Sequence, residues 1–246
     1  MKIISGNIRQ SLPREVALED INRAIETCNP DIICLQEATV DTLRDAASGY
    51  VGAVATEHGL EPTFAQTRHF HSRSGDIHSG LATLVRAEIA NDVETREVEL
   101  NSQRIHTPFR PIGRRALLIT TITEADRSLH VVNAHLSYPG INPLARRREW
   151  KKVFEIVNGL EGDVVISGDF NVRPNSQFIQ ECNRRWRQVT DHTKATFHNL
   201  YSFVPKSLKE RTIDYVFTNK DFKRKVSVSQ LPPNHSDHIW HSIDVS

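Results

Sequence analysis

Apolar residues occur along the chain in short runs that end abruptly in polar groups, a pattern typical of buried strands in α/β proteins. The sharpest example is the β-branched run at residues 164–166, which is too short for a helix and is bounded by glycines. It predicts a central strand that stops at Asp169 and Asn171. Because side chains alternate along a strand, both polar groups can point into one cleft while Phe170 turns into the core. An Asx turn that merely closes the strand explains the same residues, so this run alone leaves function open.

The same patterns divide the rest of the chain into strands and helices. Further strands are predicted at residues 2–8, 31–35, 81–85, 116–122, 129–134, 213–218, 226–228 and 239–245. The polar turn at residues 124–126 predicts an antiparallel pairing of the strands beside it. Helical spacing predicts helices at residues 15–27 and 146–160, and a third helix is expected from Thr39 as its N-cap to a stop at Gly49. Residues 51–78 have no clear period and are predicted to be loop or weak strand.

Polar side chains recur where the predicted strands end or begin. They are Asn7, Gln36, Glu37, Asn133, His135, Asp169, Asn171, Asp214, Asp237 and His238. In a mixed sheet the starts of antiparallel strands lie at the same edge as the ends of the others, so one cleft can hold all of these groups. Two carboxylates about 4 Å apart repel by roughly 4 kcal/mol at an effective dielectric constant near 20. A hard divalent cation such as Mg²⁺ or Mn²⁺ would relieve that repulsion, and the oxygen donors favour it over zinc.

Five short motifs occur in order along nearly the whole chain. They are Leu35-Gln36-Glu37, Asn133-Ala134-His135, Gly168-Asp169-Phe170-Asn171, Ile213-Asp214-Tyr215 and Ser236-Asp237-His238. Together with Asn7 they resemble the endonuclease/exonuclease/phosphatase superfamily, which has the deoxyribonuclease-I-like fold. The resemblance implies an α/β four-layer sandwich, in which two mixed β-sheets pack face to face with helices on the outside. It also implies metal-dependent hydrolysis of phosphoesters.

The resemblance further implies a role for each motif residue. Glu37 is expected to be the principal metal ligand, with Asn7 and Asp237 supporting the metal site. Asp169 and Asn171 are expected to position water and phosphate, and Asp214 is expected to orient His238. His135 resembles a second catalytic histidine of the nuclease, sphingomyelinase and inositol-phosphatase-like branches, although a strand-end histidine with only a structural role remains the alternative.

Composition narrows the class of protein. The 246 residues are expected to form one catalytic domain over residues 1–246, and the three cysteines suit reduced thiols better than a disulfide framework. No run of 18 apolar residues exists, so we expect neither a membrane span nor a stable membrane association. The chain enters a strand directly, which predicts no signal peptide and a cytoplasmic location. Nothing in the sequence indicates a protein partner, and we expect a monomer.

Charge is distributed unevenly along the chain. Residues 1–100 carry 9 Lys and Arg against 16 Asp and Glu, while residues 101–246 carry 22 against 14. A basic second half suits a polyanionic substrate, although a solvated face is an equally good explanation. We therefore predict a nuclease acting on DNA or RNA, with Arg114, Arg146 and Tyr138 as candidate substrate-binding residues. The alternatives are a phosphatase or phospholipase-type enzyme acting on an inositol phosphate or a sphingomyelin-like head group, and an inactive binding module on the same fold.

Several other residues of chemical interest have a structural explanation. His69, His71 and His78 fall in the irregular stretch and are predicted to be loop residues that could face a substrate. Phe197 and Tyr201 can either stack on a base or belong to the core. Trp186 and Trp240 are predicted to be structural.

Overall fold

A computed structural model describes residues 1–41, 49–72, 75–90, 92–101, 105–106, 111–112, 114–124, 127–138, 143–198 and 210–246. The helices are α1 (Arg14–Cys28), α2 (Gly49–His58), α3 (Ala87–Ala90), α4 (Pro143–Asn158) and α5 (Gln177–Arg185). The strands are β1 (Lys2–Asn7), β2 (Ile32–Val40), β3 (Leu60–Ser72), β4 (Gly75–Arg86), β5 (Val93–Asn101), β6 (Ile105–His106), β7 (Pro111–Ile112), β8 (Arg115–Ile122), β9 (Leu129–His135), β10 (Asp163–Asp169), β11 (Trp186–Gln188), β12 (Phe197–His198), β13 (Glu210–Arg211), β14 (Asp214–Asn219), β15 (Val226–Leu231) and β16 (Trp240–Val245).

Two six-stranded mixed sheets form the centre of the molecule. The first has the order β15-β16-β1-β2-β4-β3, and the second has the order β11-β14-β10-β9-β8-β5. Within the first sheet β1 runs parallel to β2 and antiparallel to β16, and within the second sheet β10 runs parallel to β9 and antiparallel to β14. The antiparallel pairing predicted for the strands beside residues 124–126 is confirmed by β8 and β9, while residues 125–126 lie outside the described part of the chain.

The packing of apolar side chains produces four layers. One cluster joins the facing sides of the two sheets and includes Ile32 from the first and Val165 from the second. A second cluster packs α1 and α2 on the outer face of the first sheet, and a third packs α4 and α5 on the outer face of the second. The α/β sandwich expected from the motifs is therefore confirmed. None of the described helices is long and apolar enough to cross a membrane.

Residues 51–78 differ from the expectation. They contain most of α2, the whole of β3 and the start of β4. The two long strands β3 and β4 pair along twelve positions. The strand alternative is thus correct from Leu60 onward, whereas α2 was not predicted. Polar side chains are frequent in β3, so its sequence lacks the clean alternation of a strand with one buried face. His69 and His78 are consequently strand residues that pair across β3 and β4 with stacked rings, not loop residues. The backbone of His71 also belongs to β3.

The helix expected between Thr39 and Gly49 is wrong at both described ends. Thr39 belongs to β2, where its N–H bonds the Tyr50 hydroxyl, and Gly49 begins a helix where the sequence predicted one to end. Residues 42–48 lie outside the described part of the chain. Gly49 does have a positive φ of 68°, so the left-handed conformation assigned to this glycine is present.

Candidate active site

The strand register of the second sheet aligns three of the expected site residues in one row. His135 is the partner of Asp169 across β9 and β10, and Asp169 is the partner of Asp214 across β10 and β14. Neighbouring strands lie about 4.8 Å apart, so these three residues must be close whatever their rotamers. Register alone therefore assembles half of the site.

Gly168 permits the close approach that the row requires. Its φ is 139°, and a Cβ at this position would overlap the carbonyl oxygen of Ala134 on β9. A larger residue would push β9 and β10 apart immediately before Asp169. The glycine is thus needed for strand spacing at the site, as its position after the β-branched run suggested.

Asp169 lies between two histidines. Its Oδ2 atom is 3.6 Å from Nε2 of His135 and 4.0 Å from Nε2 of His238. The other ring nitrogen of His238, Nδ1, lies 3.0 Å from both carboxylate oxygens of Asp214. Because Nδ1 donates to Asp214, the Nε2 atom of His238 is directed toward Asp169 and the cleft. The pairing of His238 with Asp214 that the motifs implied is thus present in the geometry.

Two side-chain amides donate hydrogen bonds to the Asp169 carboxylate. Asn7, from the first sheet, donates from Nδ2 to Oδ2 of Asp169 at 3.2 Å, and Asn171 donates from Nδ2 to the same oxygen at 3.2 Å. The backbone N–H of Asn171 donates to Oδ1 at 2.8 Å. Asn171 also donates to the carbonyl of Leu136, so both of its amide hydrogens are used within the protein. In this structure Asn171 therefore orients Asp169.

Glu37 approaches the same row from the first sheet. It occupies an irregularity in the pairing of β2 with β4 and has a positive φ of 55°, and Asn171 has a φ of 54°. Such a conformation costs about 1 to 3 kcal/mol in a residue other than glycine and tends to occur at functional sites. Oε1 of Glu37 lies 3.9 Å from Nε2 of His135, and Oε2 accepts the N–H of Gln10 at 3.1 Å. The bulge thus turns Glu37 toward the cleft.

Asp237 completes a group of four carboxylates together with Glu37, Asp169 and Asp214. Burial raises the pKa of Asp169 to about 7, and the negative charges of Asp214 and Glu37 act in the same direction. Burial also raises the pKa of Asp237, although Arg9 lies 3.8 Å away and partly compensates its charge. At Asp169 and Asp237, burial and the neighbouring carboxylates therefore outweigh the compensation by nearby cations and hydrogen bonds. A group of carboxylate and amide oxygens in which negative charge is costly suits a divalent cation.

The two histidines have opposite protonation tendencies. Burial lowers the pKa of His135 well below its usual value, and the positive charges of Arg115 and Arg68 lower it further. Burial would also lower the pKa of His238, but the carboxylates of Asp214, Asp169 and Asp237 outweigh it and raise the pKa to about 10. At neutral pH the site accordingly contains a neutral imidazole and a cationic imidazolium on either side of Asp169.

The profile of the Endonuclease/Exonuclease/phosphatase family matches residues 4–238, which is nearly the whole chain. The chain belongs to the endonuclease/exonuclease/phosphatase family. The family is one of phosphoric ester hydrolases, which generally depend on a divalent metal. No curated protein sequence matches the chain significantly.

Solved structures of this family share the fold at low sequence identity. A family protein from Leptotrichia buccalis aligns with a TM-score of 0.73 at 17% identity, over 100% of this chain and 99% of its own. TDP2 from D. rerio, solved in complex with a single-strand DNA product, aligns with a TM-score of 0.68 at 16% identity, over 99% of this chain and 98% of its own. The human Nocturnin catalytic domain with a bound sulfate anion aligns with a TM-score of 0.65 at 17% identity, over 100% of this chain and 93% of its own.

Two different sets of residues in this chain are candidate metal ligands. The resemblance implied Asn7, Glu37 and Asp237, whereas Asp169, Asp214 and His238 have ligand-type atoms that all lie within 4.8 Å of one another. A histidine binds a metal as a neutral imidazole, and Asp214 raises the pKa of His238 to about 10. The second set therefore contains a group that must lose a proton before it can bind a cation, whereas the first set offers oxygen donors alone.

Arg114 and Arg115 differ in a way that their sequence did not indicate. The candidate Arg114 forms ion pairs with Glu97 and Glu99 on β5 and is about one-third exposed. Arg115 is buried, and its charge interacts with Glu37 and Asp169. Its Nε donates to the hydroxyl of Ser137 at 3.3 Å, whereas its Nη1 has no hydrogen-bond partner among the described residues. The sequence gives no signal that separates them, because β8 is buried on both faces and shows no alternation of polar and apolar residues.

The basic helix α4 is attached to the segment that follows His135. Glu149 of α4 is buried and accepts the N–H of Ser137 at 2.8 Å and its hydroxyl at 2.7 Å. The guanidinium of Arg146 lies over the Trp150 ring at 4.6 Å and is only partly exposed. Tyr138, by contrast, is 52% exposed just beyond Ser137. The start of α4 and Tyr138 therefore border the end of β9 where the site lies.

The remaining aromatic candidates have defined places. Phe197 packs edge-on against the His238 ring, with centroids 4.9 Å apart. Trp186 and Trp240 are buried, which confirms their structural role. Tyr201 lies outside the described residues.

Proposed function

We propose that the chain is a Mg²⁺- or Mn²⁺-dependent phosphodiesterase that cleaves nucleic acid. The observation that carries the proposal is the position of Asp169 between a neutral and a cationic histidine, in a group of four carboxylates whose burial raises the pKa of Asp169 and Asp237. Hydrolysis of a phosphodiester requires charge neutralisation, a nucleophile and a stabilised leaving oxygen. Charge neutralisation and generation of the nucleophile can be assigned to separate groups of this site.

Glu37, Asn7 and Asp237 would hold the cation, because they offer oxygen donors at the cleft side of the cluster. When bound, the cation would supply Lewis-acid neutralisation of phosphate oxygens and lower the pKa of a coordinated water. Arg9, which lies beside Asp237, would restrain that carboxylate from the protein side.

Asp169 would act as the general base. Its pKa near 7 lets the carboxylate accept a proton from an attacking water at neutral pH, and the amides of Asn7 and Asn171 fix its orientation. The cationic His238 would donate a hydrogen bond from Nε2 to a phosphate oxygen, since its Nδ1 hydrogen is used by Asp214. His135 would contact the phosphate as a neutral donor or acceptor.

Recognition of a nucleic-acid backbone has three supports. The charge of buried Arg115 interacts with that of Asp169, and its Nη1 has no hydrogen-bond partner among the described residues, so we expect it to donate to a phosphate oxygen. The exposed basic side chains of α4, Arg147 and Lys151 among them, continue positive charge beyond the site. The structurally similar TDP2 from D. rerio was solved with a single-strand DNA product.

A substrate panel tests this proposal. Purified protein would be assayed with Mg²⁺ and with Mn²⁺ on single- and double-stranded DNA, RNA, sphingomyelin and inositol phosphates. We expect cleavage of nucleic acid that EDTA abolishes and added metal restores. Glu37→Gln, purified in parallel, should lose at least about 10²-fold in kcat, because it removes a charged group that would hold the cation. This variant also controls for a contaminating nuclease.

The panel separates the possible failures. Hydrolysis of inositol phosphate or sphingomyelin without cleavage of any nucleic acid would replace the substrate but keep the chemistry. Equal activity in wild type and Glu37→Gln would contradict the assignment of the metal site. No hydrolysis of any substrate with either metal would contradict the phosphoesterase proposal itself.

A further inference from the structure

A turn just before β16 carries two of the site residues, Asp237 and His238, and helix α1 holds that turn. Asp20 lies on α1 and is 2% exposed. One of its carboxylate oxygens accepts the N–H of Asn234 at 2.7 Å, and the other accepts the N–H of Ser236 at 2.9 Å. The N–H of His235, between them, lies 3.2 Å from both oxygens. Three consecutive backbone N–H groups therefore converge on one buried carboxylate.

Ser236 connects the restrained turn to the site residues through hydrogen bonds. Its hydroxyl donates to the carbonyl of Asn7 at 2.7 Å and accepts the N–H of His238 at 3.2 Å. Trp240 donates from its ring nitrogen to the same Asn7 carbonyl at 3.0 Å. The hydrogen bonds thus run from Asp20 through Ser236 to Asn7 and His238, which both contact or face Asp169.

A carboxylate is suited to this position because it only accepts hydrogen bonds and offers several lone pairs. Hydrogen bonds to a charged acceptor are also roughly twice as strong as neutral ones. An asparagine at position 20 would turn an NH₂ group toward at least one backbone N–H, so the turn could not keep its conformation. None of the three N–H groups takes part in the sheet ladders, and Asp20 is what fixes them.

We infer that Asp20 is a positioning residue for the hydrolytic site, setting the place of Asp237 and His238 relative to Asn7 and Asp169. This inference rests on the proposed phosphodiesterase function. Asp20 itself does not touch the cleft residues, and it acts through Ser236. A displacement of about 1 Å at a reacting group can cost 10²-fold in rate, so loosening the turn should lower kcat strongly.

The chain offers a matched control on the same helix. Glu19 also contacts the turn, since it lies 3.3 Å from the side-chain nitrogen of Asn234 and 3.2 Å from Nε2 of His235. Its side chain is 59% exposed, and its contacts are to side chains instead of the backbone. Glu19→Gln changes the same charge on the same turn without releasing the backbone.

The test compares Asp20→Asn, Ser236→Ala and Glu19→Gln with wild type, at least about 20 °C below each melting temperature so that only folded protein is measured. The substrate is bis(p-nitrophenyl) phosphate, a small diester whose binding we expect not to depend on the basic helix α4. Mn²⁺ is present at a saturating concentration. We expect Asp20→Asn to lose roughly 10- to 100-fold in kcat with KM changed by less than about twofold. Ser236→Ala should lose kcat in the same way, and Glu19→Gln should stay within about twofold of wild type.

Hydrogen–deuterium exchange gives a readout that needs no activity. In Asp20→Asn the amides of residues 234–238 should exchange faster than in wild type and in Glu19→Gln, while the strands of the second sheet should be unchanged. A wild-type kcat in folded Asp20→Asn would overturn the inference. So would a wild-type kcat in Ser236→Ala if Asp20→Asn does not fold.

Failure of the proposed function has a different signature. If wild-type protein hydrolyses no phosphodiester, the function is contradicted, and with it the catalytic consequence of the turn. Faster exchange at residues 234–238 in Asp20→Asn would still establish the restraint in that case. Unchanged exchange together with unchanged kcat would remove both the restraint and its consequence.

Discussion

Asp163 and Asp169 stand at the two ends of the same strand, β10, and are almost equally buried, with 1% and 2% exposure. Asp163 is surrounded by positive charge, because Nε of Arg127 lies 2.9 Å from one oxygen and Nε of Arg224 lies 3.3 Å from the other. It also accepts the N–H of Lys223 at 2.9 Å. Asp169 instead faces amides, histidines and other carboxylates, and its pKa is raised to about 7.

The difference between the two carboxylates shows which of them is placed as folding stability alone would require and which is not. Burying a carboxylate is costly unless cations and hydrogen bonds compensate it, and the Asp163 end of the strand satisfies that rule. At the Asp169 end, burial and the carboxylates of Asp214 and Glu37 raise the pKa in spite of the hydrogen bonds from Asn7 and Asn171. A strongly perturbed carboxyl in a cleft is a marker of function, and the contrast along one strand identifies the functional end.

Replacing the carboxylate at either end of β10 by an amide gives the largest expected effects. Asp169→Asn should lose about 10²- to 10⁴-fold in kcat, because the proposed general base is gone. It should lose less stability than Asp163→Asn, because relief of the repulsion with Asp214 and Glu37 opposes the loss of hydrogen bonds from Asn7 and Asn171. Asp163→Asn should keep kcat in the folded protein but lose roughly 2 kcal/mol of stability. The loss at Asp163 stays moderate because Arg127 keeps Asp221 as a partner and Arg224 keeps Glu124.

Denaturant unfolding at one pH and kcat on a small phosphodiester measure both quantities. The contrast would break if Asp163→Asn lost activity in proportion to Asp169→Asn, or if Asp169→Asn were the more destabilised of the two. In either case the raised pKa at the Asp169 end would be a feature of folding and not of chemistry.

A smaller loss of kcat is expected from changes to His238 and Asp214, which lie beside Asp169. His238 and Asp214 should behave as one unit, because Asp214 holds the His238 ring through Nδ1 at 3.0 Å. Asp214→Asn and His238→Gln should each cost most of the activity that this pair provides, about 10²- to 10³-fold, and the double variant should cost little more than either. A double-mutant cycle on kcat at saturating metal, with circular dichroism to verify folding, measures the coupling. Additive losses would mean that the two residues act independently.

Much of this arrangement was predictable because it depends on local patterns. The β-branched run before Gly168 and the polar residues at strand ends are short-range features, and they correctly indicated the central strand and the residues of the row. The register of β9, β10 and β14 then brings His135, Asp169 and Asp214 together without further information.

Other features depend on contacts that the sequence does not encode locally. Arg115 and Arg114 are adjacent arginines that only tertiary contacts distinguish, because Arg115 bonds Ser137 whereas Arg114 pairs with Glu97 and Glu99 on β5. Asp20 lies in an amphipathic helix where an acidic residue is expected to be solvated, yet it meets a turn more than 200 residues away in the chain. The strand β3 was obscured because its polar positions do not follow one buried face.

The smallest expected effect concerns the positive charge of α4, which would bind DNA phosphates outside the site. Arg147 and Lys151 are exposed on α4, whereas Arg146 stacks on Trp150, so replacing Arg146 would also disturb packing. If both exposed side chains contact DNA phosphates, the double alanine variant should bind all sequences more weakly and equally. The plot of log affinity against log salt should then flatten by up to roughly 1.8 units for double-stranded DNA, since each neutralised phosphate releases about 0.9 counterion.

Binding measured in EDTA from low to moderate salt avoids cleavage and yields this slope. The matched control is Arg184→Ala on α5, where Arg184 pairs with Glu181; Arg185 is left in place because its guanidinium lies over the Phe154 ring. Arg184 lies just before Trp186, whose partner Asn219 is at the end of β14 opposite Asp214, so the control residue belongs to the far end of the second sheet. We expect an unchanged slope for the control. Equal slopes for wild type and both variants would show that α4 is a solvated outer face, and recognition of the backbone would then rest on Arg115 and the site itself.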